Sequence, residues 1–152
     1  MTSLSVQAQF EALGLQLKIV AHQASTATVE LAAQAFGVEP GQIAKTLAVQ
    51  LATGQVVLVV ASGTKRLDNA KLKQVLGRGK MVSRDEVVAL TGHPVGGVCP
   101  FGLVTPLPIY LDRSLQAYAK VVPAAGDTNN GVVMSPQLLA EITQGIWVDV
   151  CA

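Results

Sequence analysis

The densest run of chemistry-bearing residues is Gly96-Gly97-Val98-Cys99-Pro100-Phe101-Gly102. Three glycines within seven positions let a backbone approach a ligand closely and turn its N–H groups inward. Such a loop could stabilise an oxyanion without a titratable side chain; without a ligand it is a tight connection between two elements. Cys99 follows His93 by six residues, so a thiol nucleophile with an imidazole base stands against a small buried thiol. Lys45 is the one cation between Lys18 and Lys65, placed where a turn enters an apolar strand. Its ammonium either snorkels to water or holds a carbonyl, carboxylate or phosphate at a pocket mouth. From Lys65 to Arg84, seven basic residues face Asp68 alone. Lys65, Arg66, Lys71, Lys73 and Lys80 therefore mark either a solvated face or a surface for a polyanion. Aromatics make up 4% of the chain, so such contacts would fall on phosphates rather than on stacked bases.

Other chemistries lack their usual residues. No GxxxxGK[ST] or GxGxxG run supports a nucleotide loop, no HExxH or Cys/His cluster supports zinc, and no GxSxG elbow is present. No cofactor and no metal are expected. The chain has 152 residues, half of them hydrophobic, and 14% charged residues against about 25% in an average soluble domain. It is read as a single domain over 1–152 with a well-buried core and a surface that favours self-association; monomer and homodimer both stay open. The uncharged stretches 46–64 and 87–111 are interrupted by Gly54 and by Pro94, Pro100, Pro106 and Pro108, so neither is a membrane span. With no secretory signal and only Cys99 and Cys151 as cysteines, a cytoplasmic protein with reduced thiols is expected.

The elements that must position these residues alternate irregularly. Val6, Phe10 and Leu13 predict a first helix, and Leu15, Leu17 and Ile19 a short strand. The loop Ser25-Thr26-Ala27-Thr28 supplies the N-cap of a helix running to Gly37, and Lys45 precedes a strand over 46–52, which turns at Thr53-Gly54 into 56–60. Asp68 starts a helix ending at Gly77, Met81-Val82 form a brief strand, and Ser83 with Glu86 box the next helix. A structured loop spans 93–108. Strands are expected at 109–111, 121–122, 132–134 and 146–150, with a Ser135-Pro136 helix before the last. Short helices mixed with short strands and hairpins predict an α+β fold.

These residues together resemble the YbaK/ProX family of free-standing aminoacyl-tRNA deacylases, relatives of the editing insertion of bacterial prolyl-tRNA synthetases. The likeness covers nearly the whole chain. It rests on Gly37-Val38-Glu39-Pro40-Gly41-Gln42-Ile43-Ala44-Lys45-Thr46-Leu47, on Arg66-Leu67-Asp68, and on Thr91-Gly92-His93-Pro94-Val95 leading into the glycine loop. Ile109-Tyr110-Leu111-Asp112 and Ala124-Ala125-Gly126 add to it.

The resemblance implies a mixed, largely antiparallel sheet curled, barrel-like, around a pocket, with helices outside. It implies hydrolysis of the ester between a wrong, small amino acid (Ala, Ser, Thr or Cys) and the terminal adenosine of tRNA, tRNA-Pro among the candidates. Lys45 would position the ester, and the backbone of Gly96 and Gly97 would face its carbonyl. Thr26, Thr28, Val98, Cys99, Pro100, Phe101, Gly102, Gly126, Asn129 and Asn130 would contact substrate. An aminoacyl-tRNA synthetase is a further candidate partner. Water or a ribose hydroxyl would attack. Two other readings stay open: a catalytically silent tRNA- or synthetase-binding module, and a Cys99-dependent hydrolase of a small ester. His22-Gln23-Ala24 and Asp127-Thr128-Asn129-Asn130 depart from the family pattern, which leaves the amino acid removed undetermined.

Overall fold

A computed structural model describes residues 3–152. Its spine is the hairpin of β2 (Ile43–Leu51) and β3 (Val56–Ser62), antiparallel from Ala44↔Ser62 to Gln50↔Val56. Val57 to Ala61 are all fully buried, as expected of a strand covered on both faces. Before the hairpin come α1 (Ser3–Ala12), β1 (Val20–Ala21) and α2 (Val29–Phe36). After it follow α3 (Asn69–Val75), β4 (Gly79–Met81), α4 (Arg84–Thr91) and β5 (Ile109–Asp112). The chain closes with β6 (Val122–Pro123), β7 (Asn130–Gly131), α5 (Pro136–Thr143) and β8 (Ile146–Val148). Within the 25–28 loop the cap is Thr28, and with Asp68, Ser83 and Ser135, the expected caps of the later helices, it accepts a backbone N–H of its helix's first turn.

The main sheet runs β4-β2-β3-β5-β8, and β6 also pairs with β2. β4 and β3 lie antiparallel to β2, whereas β6, β5 and β8 join through parallel pairs. The fold is therefore α+β with a mixed sheet, as expected. The sheet does not close, and parallel pairs outnumber antiparallel ones within it, so the barrel-like, largely antiparallel form is corrected. The reason is topological: the segments feeding β5, β6 and β8 cross over instead of forming hairpins, and crossovers give parallel neighbours.

Strand alternation sends side chains to two cores. Ala44 and Val60 join Phe10, Phe101, Leu111 and Leu115 on one face. Val49, Val57, Val59 and Ala61 meet Leu72, Val150 and Cys151 on the other. Under α2, Ala32 and Ala33 pack on Ile43 and Val122.

Three expectations shift. Leu15, Leu17 and Ile19 form no strand, although they pack against the first core; alternation orders side chains, but a strand also needs a hydrogen-bonding neighbour. Residues 132–134 contribute only the Val121↔Met134 bridge, and the strand falls on Asn130–Gly131. α1 stops at Ala12, which leaves Leu13 exposed. Among the described residues no helix is long and apolar enough to cross a membrane.

Candidate functional site

β2 starts at Ile43, so Lys45 lies inside the strand and not at its entrance. On the side away from β3, β6 covers Ile43 and Ala44, and β4 covers Val49 to Leu51. Between them the edge of β2 is open. Alternate residues of a strand present their N–H and C=O to opposite neighbours. The Ala48 carbonyl accepts from Val82 N–H, and Ala52 N–H donates to Arg78 O, both on the β4 side. Thr46 therefore aims its backbone pair at the same edge, where no strand reaches it. Its Oγ1 is also buried without a partner. A hollow of about 270 Å³ occupies this gap. Val29, Ala32 and Phe36 of α2 wall one side, Gly96 and Val98 the other, and Met81 and Arg84 stand at its β4–α4 border.

Lys45 lines this hollow. Its Nζ donates to the carbonyl of Gly63 at 3.3 Å and to that of Lys65. Burial is the largest influence on this ammonium and holds its pKa below the ordinary lysine value of 10.5; Arg66 adds to the lowering, while Cys151 and Glu30 oppose it. A partly desolvated cation beside an apolar hollow is suited to binding an oxygen-rich group.

The glycine loop meets the hollow through fewer residues than the sequence suggested. Gly96 has φ +90°, and a Cβ there would sit 2.8 Å from the Ala27 Cβ, so both its conformation and its packing exclude a side chain. Among the described residues the N–H groups of Gly96 and Val98 find no protein acceptor. Gly97 differs: its N–H donates to Pro94 O at 2.9 Å, and it packs on the backbone of Asp127. Val95, Gly96 and Val98 all line the hollow, and among the described residues none of their N–H groups has a protein acceptor, whereas Gly97 does not line it. Gly97 helps to shape the turn through that bond.

The remainder of the loop is structural. Cys99 and Phe101 are fully buried, with Phe101 edge-on to Phe10 at 5.0 Å between centroids. Pro100 is buried too. Gly102 presses on α1 and donates its N–H to Gln9 Oε1 at 2.6 Å. None of these four, expected to contact substrate, lines the hollow. The sequence could not show this, because the turn at 96–98 sends the chain back under α1.

Cys99 and His93 do meet, with Sγ 3.5 Å from Nε2. Both are fully buried, and Nε2 lies 2.6 Å from the Phe101 carbonyl. A carbonyl only accepts, so Nε2 carries the proton and is no base toward the thiol. Burial pushes the Cys99 thiol up to about 12, which leaves about 10⁻⁴ of it ionised at pH 8. Cys151 is also buried and raised to about 12, again chiefly by burial. The native protein is expected to consume no Ellman's reagent over minutes at pH 8, and the urea-unfolded chain both equivalents. Rapid native labelling of Cys99 would revive a thiol nucleophile.

Thr26 and Asn130 form one wall of the hollow: Thr26 Oγ1 donates to the Asn130 carbonyl at 3.2 Å. Asn130 Oδ1 accepts from Ala125 and Asp127 N–H, which holds the 125–130 turn. Thr28 lines the hollow while its hydroxyl caps α2. Gly126 is buried behind the wall, and Asn129 is exposed with Nδ2 on the His22 carbonyl. Neither lines the hollow. Sequence reading missed Thr46 and gave Arg84 only to the basic stretch, not to the hollow. Only the register of β4 and β6 leaves Thr46 on an open edge, and only the α4 start brings Arg84 to the border.

Among the basic residues, Lys65, Arg66, Lys73 and Lys80 are exposed. Lys71 is partly exposed, and its Nζ pairs with Asp149 at 3.1 Å and donates to Cys151 O at 2.9 Å.

An α+β fold thus holds a small hollow between a lysine, an open strand edge and loop amides that have no protein acceptor. The family model of the aminoacyl-tRNA editing domain matches residues 23–142, and the chain belongs to that family. The YbaK-like kinship carried by the Gly37–Leu47 and Thr91–Gly102 motifs is thereby established. The chain is 39% identical to the uncharacterized protein YwhH of Bacillus subtilis, over 99% of this chain and 98% of that one. It is 32% identical to the "Putative Cys-tRNA(Pro)/Cys-tRNA(Cys) deacylase EbsC" of Enterococcus faecalis, over 81% of this chain and 76% of that one. A crystal structure of "a putative trans-editing enzyme for prolyl tRNA synthetase" superposes with a TM-score of 0.91 at 38% identity, covering 99% and 96% of the two chains.

Proposed function

We propose that this editing-domain protein is a cytoplasmic trans-editing hydrolase that deacylates tRNA carrying a small wrong amino acid, of the Ala, Ser, Thr or Cys class. The observation that carries the reading is the hollow shared by Lys45 and the Gly96–Val98 amides. Its volume, about 270 Å³, lies just below the range of about 300–1,000 Å³ typical of small-ligand sites. That suits a short side chain with the ribose at the mouth. Apolar walls from Val29, Ala32 and Ile43 would select by exclusion, where one methylene is worth about 1–3 kcal/mol.

In this reading the ester carbonyl turns toward the Gly96 and Val98 N–H groups, and the Lys45 ammonium holds the ester or the terminal nucleotide. Water, or a ribose hydroxyl, attacks the carbonyl carbon. The developing oxyanion is met by fixed donors, each worth on the order of 2.7–4 kcal/mol. The leaving ribose oxygen takes a proton from solvent or from the attacking group. No side-chain base is required because the ester is already activated. Lys65, Arg66, Lys73 and Lys80 would meet the tRNA backbone, with Arg84 nearest the hollow.

The test is a panel of tRNAs, tRNA-Pro first, charged with alanine, serine, threonine or cysteine. Release of at least one amino acid well above the buffer rate supports the proposal. Salt-sensitive tRNA binding with no turnover on any member would replace it with a silent binding module.

A further inference from the structure

Lys71 belongs to the basic stretch but spends its charge on its own chain. Its Nζ donates to the Cys151 carbonyl and pairs with Asp149. The segment it grips, Val150–Ala152, lies antiparallel to the turn after β3. Arg66 and Ala152 exchange two backbone bonds of 3.1 and 2.9 Å, Leu67 bridges Cys151, and Asp68 N–H donates to Val150 O at 2.8 Å. The same turn supplies the two carbonyls, of Gly63 and Lys65, that hold the Lys45 ammonium. Its near end is fixed independently, since Ser62 N–H donates to Ser114 Oγ and Lys65 N–H to Ser62 O. The far end rests on residues 150–152, whose inner anchor is Val150 N–H on the buried Asp112 carboxylate. Lys71 is the side-chain anchor on the outer part of this segment that a substitution can remove cleanly.

We propose that Lys71 is a positioning residue: by holding the Cys151 carbonyl it fixes the 150–152 segment, and thereby the Gly63–Lys65 turn on which the Lys45 ammonium docks. The inference rests on the proposed role of Lys45. It separates sharply from tRNA contact, the reading that the charge pattern alone gave to Lys71. A lysine on a phosphate contributes to binding, so its loss raises KM and lowers the salt slope by about one. A residue that orients a group acting in the transition state lowers kcat instead.

The experiment compares wild type with Lys71→Gln and Lys71→Arg in steady-state deacylation of the best substrate of the panel, at two salt concentrations. For Lys71→Gln, kcat is expected to fall about tenfold with KM and salt slope unchanged. Lys71→Arg, which keeps a cationic donor at this position, should recover much of the loss. In parallel, the lysine side-chain NMR signal of Lys45, assigned by its loss in Lys45→Met, should move in Lys71→Gln and return in Lys71→Arg. A raised KM with unchanged kcat, or a Lys45 signal indifferent to residue 71, overturns the proposal. If the wild type hydrolyses no member of the panel, the functional reading falls, and the NMR comparison still decides the latch.

Discussion

Lys45→Met is expected to lower kcat/KM for deacylation by about 10²–10³-fold while leaving the folded state intact. Methionine keeps the apolar stem and deletes only the charge. If the ammonium holds the ester as proposed, its loss removes one charged donor, a contribution on the order of 2.7–4 kcal/mol to the barrier. The effect on stability points the other way. Burial lowers the Lys45 pKa, so the charged form is less comfortable folded than unfolded. The unfolded chain then binds more protons between the folded pKa and 10.5. Stability from this group is complete above 10.5 and is lost as pH falls through the lowered value. Removing the charge should therefore leave the melting temperature at neutral pH unchanged or slightly raised, the usual pattern at a functional charge. For the same reason the catalytic contribution of Lys45 should fade, as pH rises, before an ordinary lysine would deprotonate. Stopped-time deacylation assays with thermal melts on the same samples check both halves. A variant that keeps wild-type turnover refutes the role of the ammonium.

Phe101→Ala should be the most destabilising single change in the glycine loop, at about 3–5 kcal/mol. The ring is fully buried, packs edge-on against Phe10, and belongs to the larger core. For a chain of this size that loss corresponds to a melting temperature lower by roughly 6–20 °C. The urea midpoint should fall with its slope unchanged, because the same surface is exposed on unfolding. The backbone consequence is local. The Phe101 carbonyl receives the His93 imidazole, so loosening this residue loosens the support of the turn that carries Gly96 and Val98. At temperatures where the variant is folded, KM for aminoacyl-tRNA should stay near the wild-type value. A variant of wild-type stability with a raised KM would instead make Phe101 a wall of the substrate site, as the family resemblance implied.

The sequence by itself determined the capped starts of α2, α3, α4 and α5, the hairpin at Thr53-Gly54, the α+β class and the editing-domain kinship. These are local: a Thr28 or Ser135 hydroxyl reaches an N–H three residues away, and a motif keeps its order without knowing its neighbours. It also singled out Lys45 and Gly96, since an isolated cation in an apolar strand and a glycine cluster are visible one residue at a time. Tertiary structure alone decided which way each of them faces. The register of β4 and β6 along β2 leaves Thr46 on an open edge, and a one-residue slip would close it or turn its hydroxyl to the other face. The Pro94–Gly97 bond uses up one expected amide donor and leaves Val98 in its place. The Val150–Ala152 segment claims Lys71, whose charge looked available because its partner, Asp149, lies 78 positions away. Contacts between distant segments are set by packing and hydrogen bonding across the sheet, and spacing along the chain carries no record of them.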